Sequence, residues 1–80
     1  MKCSIKAFGI SREIVGGKVL ELELPEGHTI SELKLHLFQK YPTFNDLKSL
    51  YVAVNNEYAS DETILKAGDE IALIPPVSGG

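Results

Sequence analysis

The chain has 80 residues, of which 44% are hydrophobic and 24% charged, a balance typical of one small globular domain and not of a disordered or collagen-like chain. Eight Lys and Arg residues against eleven Asp and Glu residues give a net charge of -3, which argues against nucleic-acid binding, because such proteins usually carry a basic surplus. The single cysteine excludes an intramolecular disulfide bond, and so short a chain offers little room for the walled pocket of an enzyme.

The first residues, Met1 to Lys6, lack the apolar core of a signal peptide. No apolar run approaches the roughly 20 residues that span a bilayer. We therefore expect a cytoplasmic protein whose partners include no membrane and, because of its charge, no nucleic acid.

The first two predicted strands alternate between apolar and polar residues, which is the pattern of a half-buried strand. Residues 2–8 form the first strand and residues 19–24 the second. Residues 9–17 between them predict a loop with one helical turn, closed by two glycines. The two strands are therefore expected to open the fold as a hairpin.

A helix is predicted after the second strand. Thr29 and Glu32 have the spacing of a capping box, in which each residue satisfies a backbone amide of the other. Apolar residues then recur at helical spacing up to Tyr41, and Pro42 ends the helix. Residues 43–50 predict an irregular connection back to the sheet.

Three more strands complete the predicted sheet. Residues 51–54 form the third strand, residues 55–56 a turn, and residues 57–59 a short return strand. The last strand covers residues 70–74 and follows a tight turn, in which Gly68 supplies a positive φ.

This order of elements predicts an α+β fold in which one main helix covers a mixed sheet of about five strands. The order resembles the ubiquitin-like β-grasp, and that resemblance implies that the first and last strands are central, parallel neighbours. We expect residues 1–76 to form this domain and residues 77–80 to form a flexible Gly-Gly tail.

The end of the chain, Ile-Pro-Pro-Val-Ser-Gly-Gly over residues 74–80, is its most informative segment. Two prolines favour an extended exit from the sheet. A terminus without Cβ atoms is able to thread a narrow tunnel, and its carboxylate is then the only chemical group that it presents. A frayed end without function is the alternative interpretation.

Several segments of the chain resemble the small subunit of molybdopterin synthase. The resemblance covers nearly the whole chain and is strongest over the last thirty residues, where a Gly-Asp-Glu turn precedes a strand and Pro-Pro-Val-Ser-Gly-Gly. The matching segments are Phe8, residues 11–16, residues 52–58, Asp61, Leu65 and residues 68–80.

The resemblance implies a sulfur carrier in molybdenum cofactor biosynthesis. An adenylating, E1-like enzyme uses ATP to activate the carboxylate of Gly80 as an acyl-adenylate, and a sulfur donor then converts it into a thiocarboxylate. Val77, Ser78 and Gly79 thread the tail into the large synthase subunit, within a heterotetramer, where sulfur passes to the pterin precursor. The carrier itself binds no cofactor, and the partner supplies the catalytic acids and bases, so it is a sulfur-donating, non-catalytic subunit.

A docking patch is predicted beside the tail. By alternation, Phe8 lies on the solvent face of the first strand and Ile74 on the solvent face of the last strand. If these strands are neighbours, both side chains form an apolar spot that continues into Pro75 and Pro76, which suits partner binding. The alternative is that residues 9–17 cover Phe8.

Three other residues have side chains that react or bind metals in many proteins, but we expect structural or solvent-exposed roles for them here. Cys3 shares the inward face of the first strand with apolar residues, so we expect it to pack in the core. His28 and His36 are eight residues apart and have no cysteine near them, so we expect no metal site.

Two alternative functions remain open. The first is another carrier of the same fold, either a thiamine-pathway sulfur carrier or a ubiquitin-like modifier of lysines, although the Pro-Pro-Val-Ser sequence favours the molybdopterin family. The second is a β-grasp adaptor with an inert tail, whose activity would survive deletion of Gly79 and Gly80.

Overall fold

The computed structural model describes residues 1–47 and 49–74, which form a five-stranded mixed sheet with one main helix packed on it. The strand order is β2-β1-β5-β3-β4, so the prediction of an α+β fold with about five strands is confirmed. The elements in chain order are β1 (Lys2–Ala7), α1 (Ile10–Val15), β2 (Val19–Glu23), α2 (Ile30–Lys40), a 3-10 helix (Pro42–Asp46), β3 (Tyr51–Val54), β4 (Glu57–Tyr58) and β5 (Ile71–Ile74).

The first and last strands are central, parallel neighbours, as the β-grasp resemblance implied. In this pairing Lys6 lies opposite Ala72, and Ala7 lies opposite Leu73. The other pairs, β1 with β2, β5 with β3 and β3 with β4, are antiparallel. Because β1 and β5 run in the same direction, the end of β1 and the end of β5 lie at the same edge of the sheet.

One face of the sheet carries the hydrophobic core, and α2 covers that face. Alternating residues of β1 and β5 point into it, and α2 contributes its buried stripe to the same cluster. Cys3 is one of these core residues and is only 5% exposed, so its predicted packing role is confirmed. The cluster comprises Cys3, Ile5, Leu22, Leu24, Ile30, Leu33, Leu37, Phe44, Leu50, Val52, Leu65, Ile71 and Leu73.

The predicted capping box begins α2. The Thr29 hydroxyl accepts a hydrogen bond from the Glu32 amide at 3.3 Å, and the Glu32 carboxylate accepts one from the Thr29 amide at 3.0 Å. The helix ends at Lys40, one residue before the predicted end. Pro42 then starts the 3-10 helix, whose Phe44 is buried, although the sequence predicts an irregular connection there.

The segment between β1 and β2 is more ordered than the predicted single turn. Residues 10–15 form the six-residue helix α1, and Gly16 ends it in the left-handed conformation with φ of 81°. The amides of Gly16 and Gly17 both donate to the carbonyl of Arg12, an arrangement that satisfies two donors at the helix end. Ile14 and Val15 of this helix pack against the hydrophobic core, which fixes α1 against the rest of the domain.

In the described part of the chain, no helix is both long enough and apolar enough to cross a membrane.

Candidate functional site

The outer face of the sheet, opposite α2, has an apolar concavity that runs along β5 and reaches the edge where β1 and β5 end. Its volume is about 370 Å³. Six residues form its apolar lining, and Lys6, Asn56 and Glu70 form its polar part. The apolar lining comprises Phe8, Ala53, Tyr58, Ile71, Ala72 and Ile74. We call this surface the outer-face concavity.

Phe8 and Ile74, which were predicted to converge, line this concavity together. Phe8 directly follows Ala7, and Ile74 directly follows Leu73, which is the register partner of Ala7. Phe8 is 45% exposed, so residues 9–17 leave much of its ring open to solvent. A large apolar side chain that remains exposed at a concave, apolar surface is typical of binding surfaces.

Two tyrosines extend the apolar surface toward the β4 edge of the sheet. Tyr51 pairs with Ile74 across β3 and β5, and Tyr58 pairs with Ala53 across β4 and β3. Their rings pack edge to face, with centroids 5.8 Å apart, while Tyr51 is 53% and Tyr58 71% exposed. Such an aromatic pair offers a large, rigid contact area at low entropic cost.

The sequence prediction did not include these tyrosines in the site. Alternation along residues 51–54 puts Tyr51 and Ala53 on one face, which is a signal that the sequence contains. Whether that face adjoins Phe8 and Ile74 depends on the order of strands, because β3 reaches the site only through its pairing with β5.

Asn55 connects the turn beside the concavity to the start of β5. Asn55 and Asn56 adopt positive φ angles of 52° and 70°, which fit the tight turn between β3 and β4. The Asn55 side chain donates to the Asp69 carboxylate at 3.0 Å and accepts from the Glu70 amide at 3.0 Å. These bonds fix the wall that carries Tyr58 relative to the strand that ends at Ile74.

The remaining predicted site residues, Pro75, Pro76, Val77, Ser78, Gly79 and Gly80, lie outside the described residues. The last described residue, Ile74, belongs to the outer-face concavity. The predicted tail therefore continues the chain from the site itself.

The residues weighed as metal or redox sites lie away from this face. Burial raises the pKa of the Cys3 thiol, which disfavours the nucleophilic thiolate. His28 lies 3.8 Å from the carboxylate of Glu32 at the start of α2, and His36 lies on α2 itself. Within residues 1–47 and 49–74, no three His, Cys, Asp or Glu residues are grouped so as to hold a metal ion.

Comparison with known proteins gives concordant matches across the chain. The ThiS family matches residues 5–80. A relative from Arabidopsis thaliana, named molybdopterin synthase sulfur carrier subunit, is 36% identical over 81 residues, which cover 100% of this chain and 84% of the relative.

Two solved structures share the fold. The crystal structure of SAMP1 from Haloferax volcanii superimposes with a TM-score of 0.81 at 27% identity, with 100% of both chains covered. A chain in the complex of subunits 1 and 2 of molybdopterin-converting factor from Helicobacter pylori 26695 gives a TM-score of 0.68 at 27% identity, again with 100% of both chains covered. This chain therefore belongs to the ThiS family, together with the molybdopterin synthase sulfur carrier subunits that are its relatives.

Proposed function

We propose that this protein is the sulfur carrier subunit of molybdopterin synthase and that Gly80 carries the sulfur. The observation that carries the proposal is continuity: β5 ends at Ile74 in the exposed outer-face concavity, and the Pro-Pro-Val-Ser-Gly-Gly sequence follows at once. A docking face joined directly to a thin, reactive terminus suits a protein that delivers its own C-terminus into a partner. The name of the Arabidopsis relative supports the same function.

The proposed chemistry begins at the terminal carboxylate, which is a poor electrophile until it is activated. An adenylating enzyme joins the carboxylate of Gly80 to AMP with release of pyrophosphate from ATP, and a sulfur donor then displaces AMP to leave a thiocarboxylate. Because this step consumes ATP, we propose that the carrier works in the cytoplasm. The carrier binds no cofactor of its own in this scheme, since ATP is bound by the adenylating enzyme.

The proposed acceptor complex contains the large synthase subunit. Phe8 and Ile74, continued by Pro75 and Pro76, dock on that subunit, while residues 77–79 thread the terminus toward the pterin precursor. One carrier holds one sulfur, so two carriers are needed for the two dithiolene sulfurs, which suits a heterotetramer. The structure from Helicobacter pylori, which is described as a complex of subunits 1 and 2, supports a partner of this kind.

Intact-mass spectrometry tests the proposed function directly. The protein is purified from a host that contains the sulfur pathway, and the mass is compared with that of the same protein from a host that lacks the adenylating enzyme. We expect the mass change for one oxygen replaced by sulfur, and fragmentation should localise it to Gly80. An unmodified terminus under both conditions would contradict the proposal.

A ubiquitin-like modifier is the second candidate function. It is favoured by the likeness to a solved structure from Methanosarcina acetivorans, 28% identical, which is described as the small archaeal modifier protein SAMP1. The two candidates differ in the fate of Gly80: a modifier forms an isopeptide bond with a lysine, whereas the synthase carrier returns to a free carboxylate. Peptide mapping of cell extracts for Gly80 linked to lysine separates them, and an adaptor with an inert tail would show neither product.

A further inference from the structure

Lys6 is the one basic residue among those that line the outer-face concavity. It is exposed and lies opposite Val19 on β2 and opposite Ala72 on β5. Phe8 lies two residues after Lys6, on the same face of the sheet, and also lines the concavity. The Lys6 side chain therefore borders the apolar lining, and it also lines a second concavity on the same face together with Ser4 and Glu70.

The charge of Lys6 has no partner in the described part of the chain, where the three ion pairs involve other residues. Glu70, which also lines the concavity, precedes Ala72 by two residues and so lies diagonal to Lys6 on the same face. The two side chains do not form an ion pair. Within residues 1–47 and 49–74, no carboxylate pairs with the exposed ammonium, which is solvated by water.

Docking of an apolar partner on this face removes that water. Taking an ammonium group out of water costs several kcal/mol unless an opposite charge meets it with good geometry. A partner that covers Lys6 together with Phe8 and Ile74 and offers only apolar atoms is therefore penalised, whereas a partner with a carboxylate opposite Lys6 is not. Such a penalty against wrong partners is a common source of specificity.

We propose that Lys6 is a specificity-determining residue of the docking face and that it pairs with an Asp or Glu carboxylate of the large synthase subunit. This inference rests on the proposed function, in which the large subunit occupies the outer-face concavity. It adds the chemistry by which this chain recognises that subunit. The large subunit is expected to present an apolar surface with one acidic group opposite Lys6.

The test measures affinity for the purified large subunit by calorimetric titration of the full-length carrier. Lys6→Met keeps the apolar stem and removes the charge, so it leaves the partner's carboxylate unpaired. We expect Kd to rise about thirtyfold or more, as for truncation of a buried interfacial charge pair. The affinity of the variant should also depend less on salt concentration than that of the wild type.

Lys2→Met is the matched control, because it makes the same change of net charge on the same strand and face. Lys2 lies opposite Glu23 and does not line the outer-face concavity, so its loss should leave Kd within about twofold, as for a surface charge. Equal weakening by both variants would overturn the proposal, since it would show a general charge effect. Unchanged or tighter binding by Lys6→Met would overturn it too, because Lys6 would then meet no carboxylate.

Pairing between Lys6 and Glu70 in the complex is distinguished by a double variant. If Glu70 supplies the carboxylate, Glu70→Gln should restore the affinity of Lys6→Met, and that rescue would overturn the proposal. Failure to rescue supports a carboxylate from the partner.

Phe8→Ala, measured in parallel, separates this inference from the proposed function. Weak binding by Phe8→Ala with normal binding by Lys6→Met rejects only the role of Lys6. Normal binding by both variants rejects the docking face itself.

Discussion

At the scale of the residue, Cys3 shows how position decides the role of a reactive side chain. It lies on the inner face of β1, in the same buried cluster as Ile5, and is 5% exposed. Burial raises the pKa of its thiol, so little thiolate is present at neutral pH. Cys3 is thus a small packing residue even in a protein proposed to carry sulfur.

The Cys3→Ala variant is therefore expected to lose stability but not function. Removal of the buried sulfur should lower the free energy of unfolding by about 1 kcal/mol or slightly more, as for small core truncations. Urea denaturation measures this change, and thiocarboxylate formation at Gly80 should remain at the wild-type level. A folded variant that forms no thiocarboxylate would identify Cys3 as a sulfur relay.

Phe8 and Ile74 are expected to act as anchors for the large subunit. Truncating a buried interface anchor commonly costs about 2 kcal/mol or more, so Phe8→Ala and Ile74→Ala should each raise Kd roughly thirtyfold. Calorimetric titration gives Kd, and thermal melting checks the fold. Leu35→Ala is the control, because Leu35 is 58% exposed but belongs to α2, on the other side of the sheet. Wild-type affinity for both site variants would leave the tail alone to account for binding.

At the scale of the element, the strands and α2 were predictable, whereas α1 was predicted only as a single turn and the 3-10 helix was not predicted. The strands follow from alternation, and the start of α2 follows from its capping box, because each signal is local. The helix α1 and the 3-10 helix are too short to form without tertiary contacts. Packing of Ile14 and Val15 against the core and burial of Phe44 stabilise them, and that packing depends on the complete fold. The same limit applies to Tyr51, which joins the site only through the pairing of β3 with β5.

The capping box of α2 is expected to make stability depend on pH. Hydrogen bonds from the backbone amide and then the side chain of Thr29 lower the pKa of Glu32 from its ordinary value of 4.5. A lowered folded pKa means that the stabilisation is fully present above pH 4.5 and is lost as the pH falls through the folded value.

The Glu32→Gln variant tests this dependence, because glutamine keeps a hydrogen-bond acceptor but does not titrate. Wild type should be more stable than the variant at pH 7, and the difference should shrink as the pH falls toward 3. Urea denaturation across this range measures it. The Glu57→Gln variant is a suitable control, since Glu57 is exposed and lies in β4, away from the box. A constant difference between wild type and Glu32→Gln at all pH values would contradict the assigned cause.

At the scale of the whole molecule, the parallel central pair organises the function. β1 and β5 run in the same direction, so the end of β1 with Phe8 and the exit of the tail after Ile74 meet at one edge. The strand order also brings the Tyr51 and Tyr58 pair to this edge. In the proposed function, docking and delivery of the terminus therefore start from one surface, and the reach of the last carboxylate beyond that surface depends on the number of residues that follow Ile74.

The position of Gly80 should therefore matter as much as its identity. Deleting Gly80 draws the terminal carboxylate back by about 3.5 Å along an extended chain. A misplacement of only about 1 Å in an active site is able to cost a hundredfold in rate, so adenylation and sulfur delivery should both collapse. Adding one alanine after Gly80 should fail as well, because the new carboxylate overshoots and brings a Cβ atom into a path suited to glycine.

Both variants should keep the wild-type melting temperature, because the hydrophobic core is built from residues between Cys3 and Leu73. The assay is reconstituted conversion of the pterin precursor with purified large subunit, adenylating enzyme, ATP and a sulfur source. Wild-type carrier and the exposed-surface variant Leu35→Ala serve as positive controls. The length argument requires product loss in both the shortened and the lengthened chain. Near-normal product from either would reject the sulfur-carrier mechanism, because a terminus of the wrong reach would then deliver sulfur equally well, and it would favour an adaptor whose tail is inert.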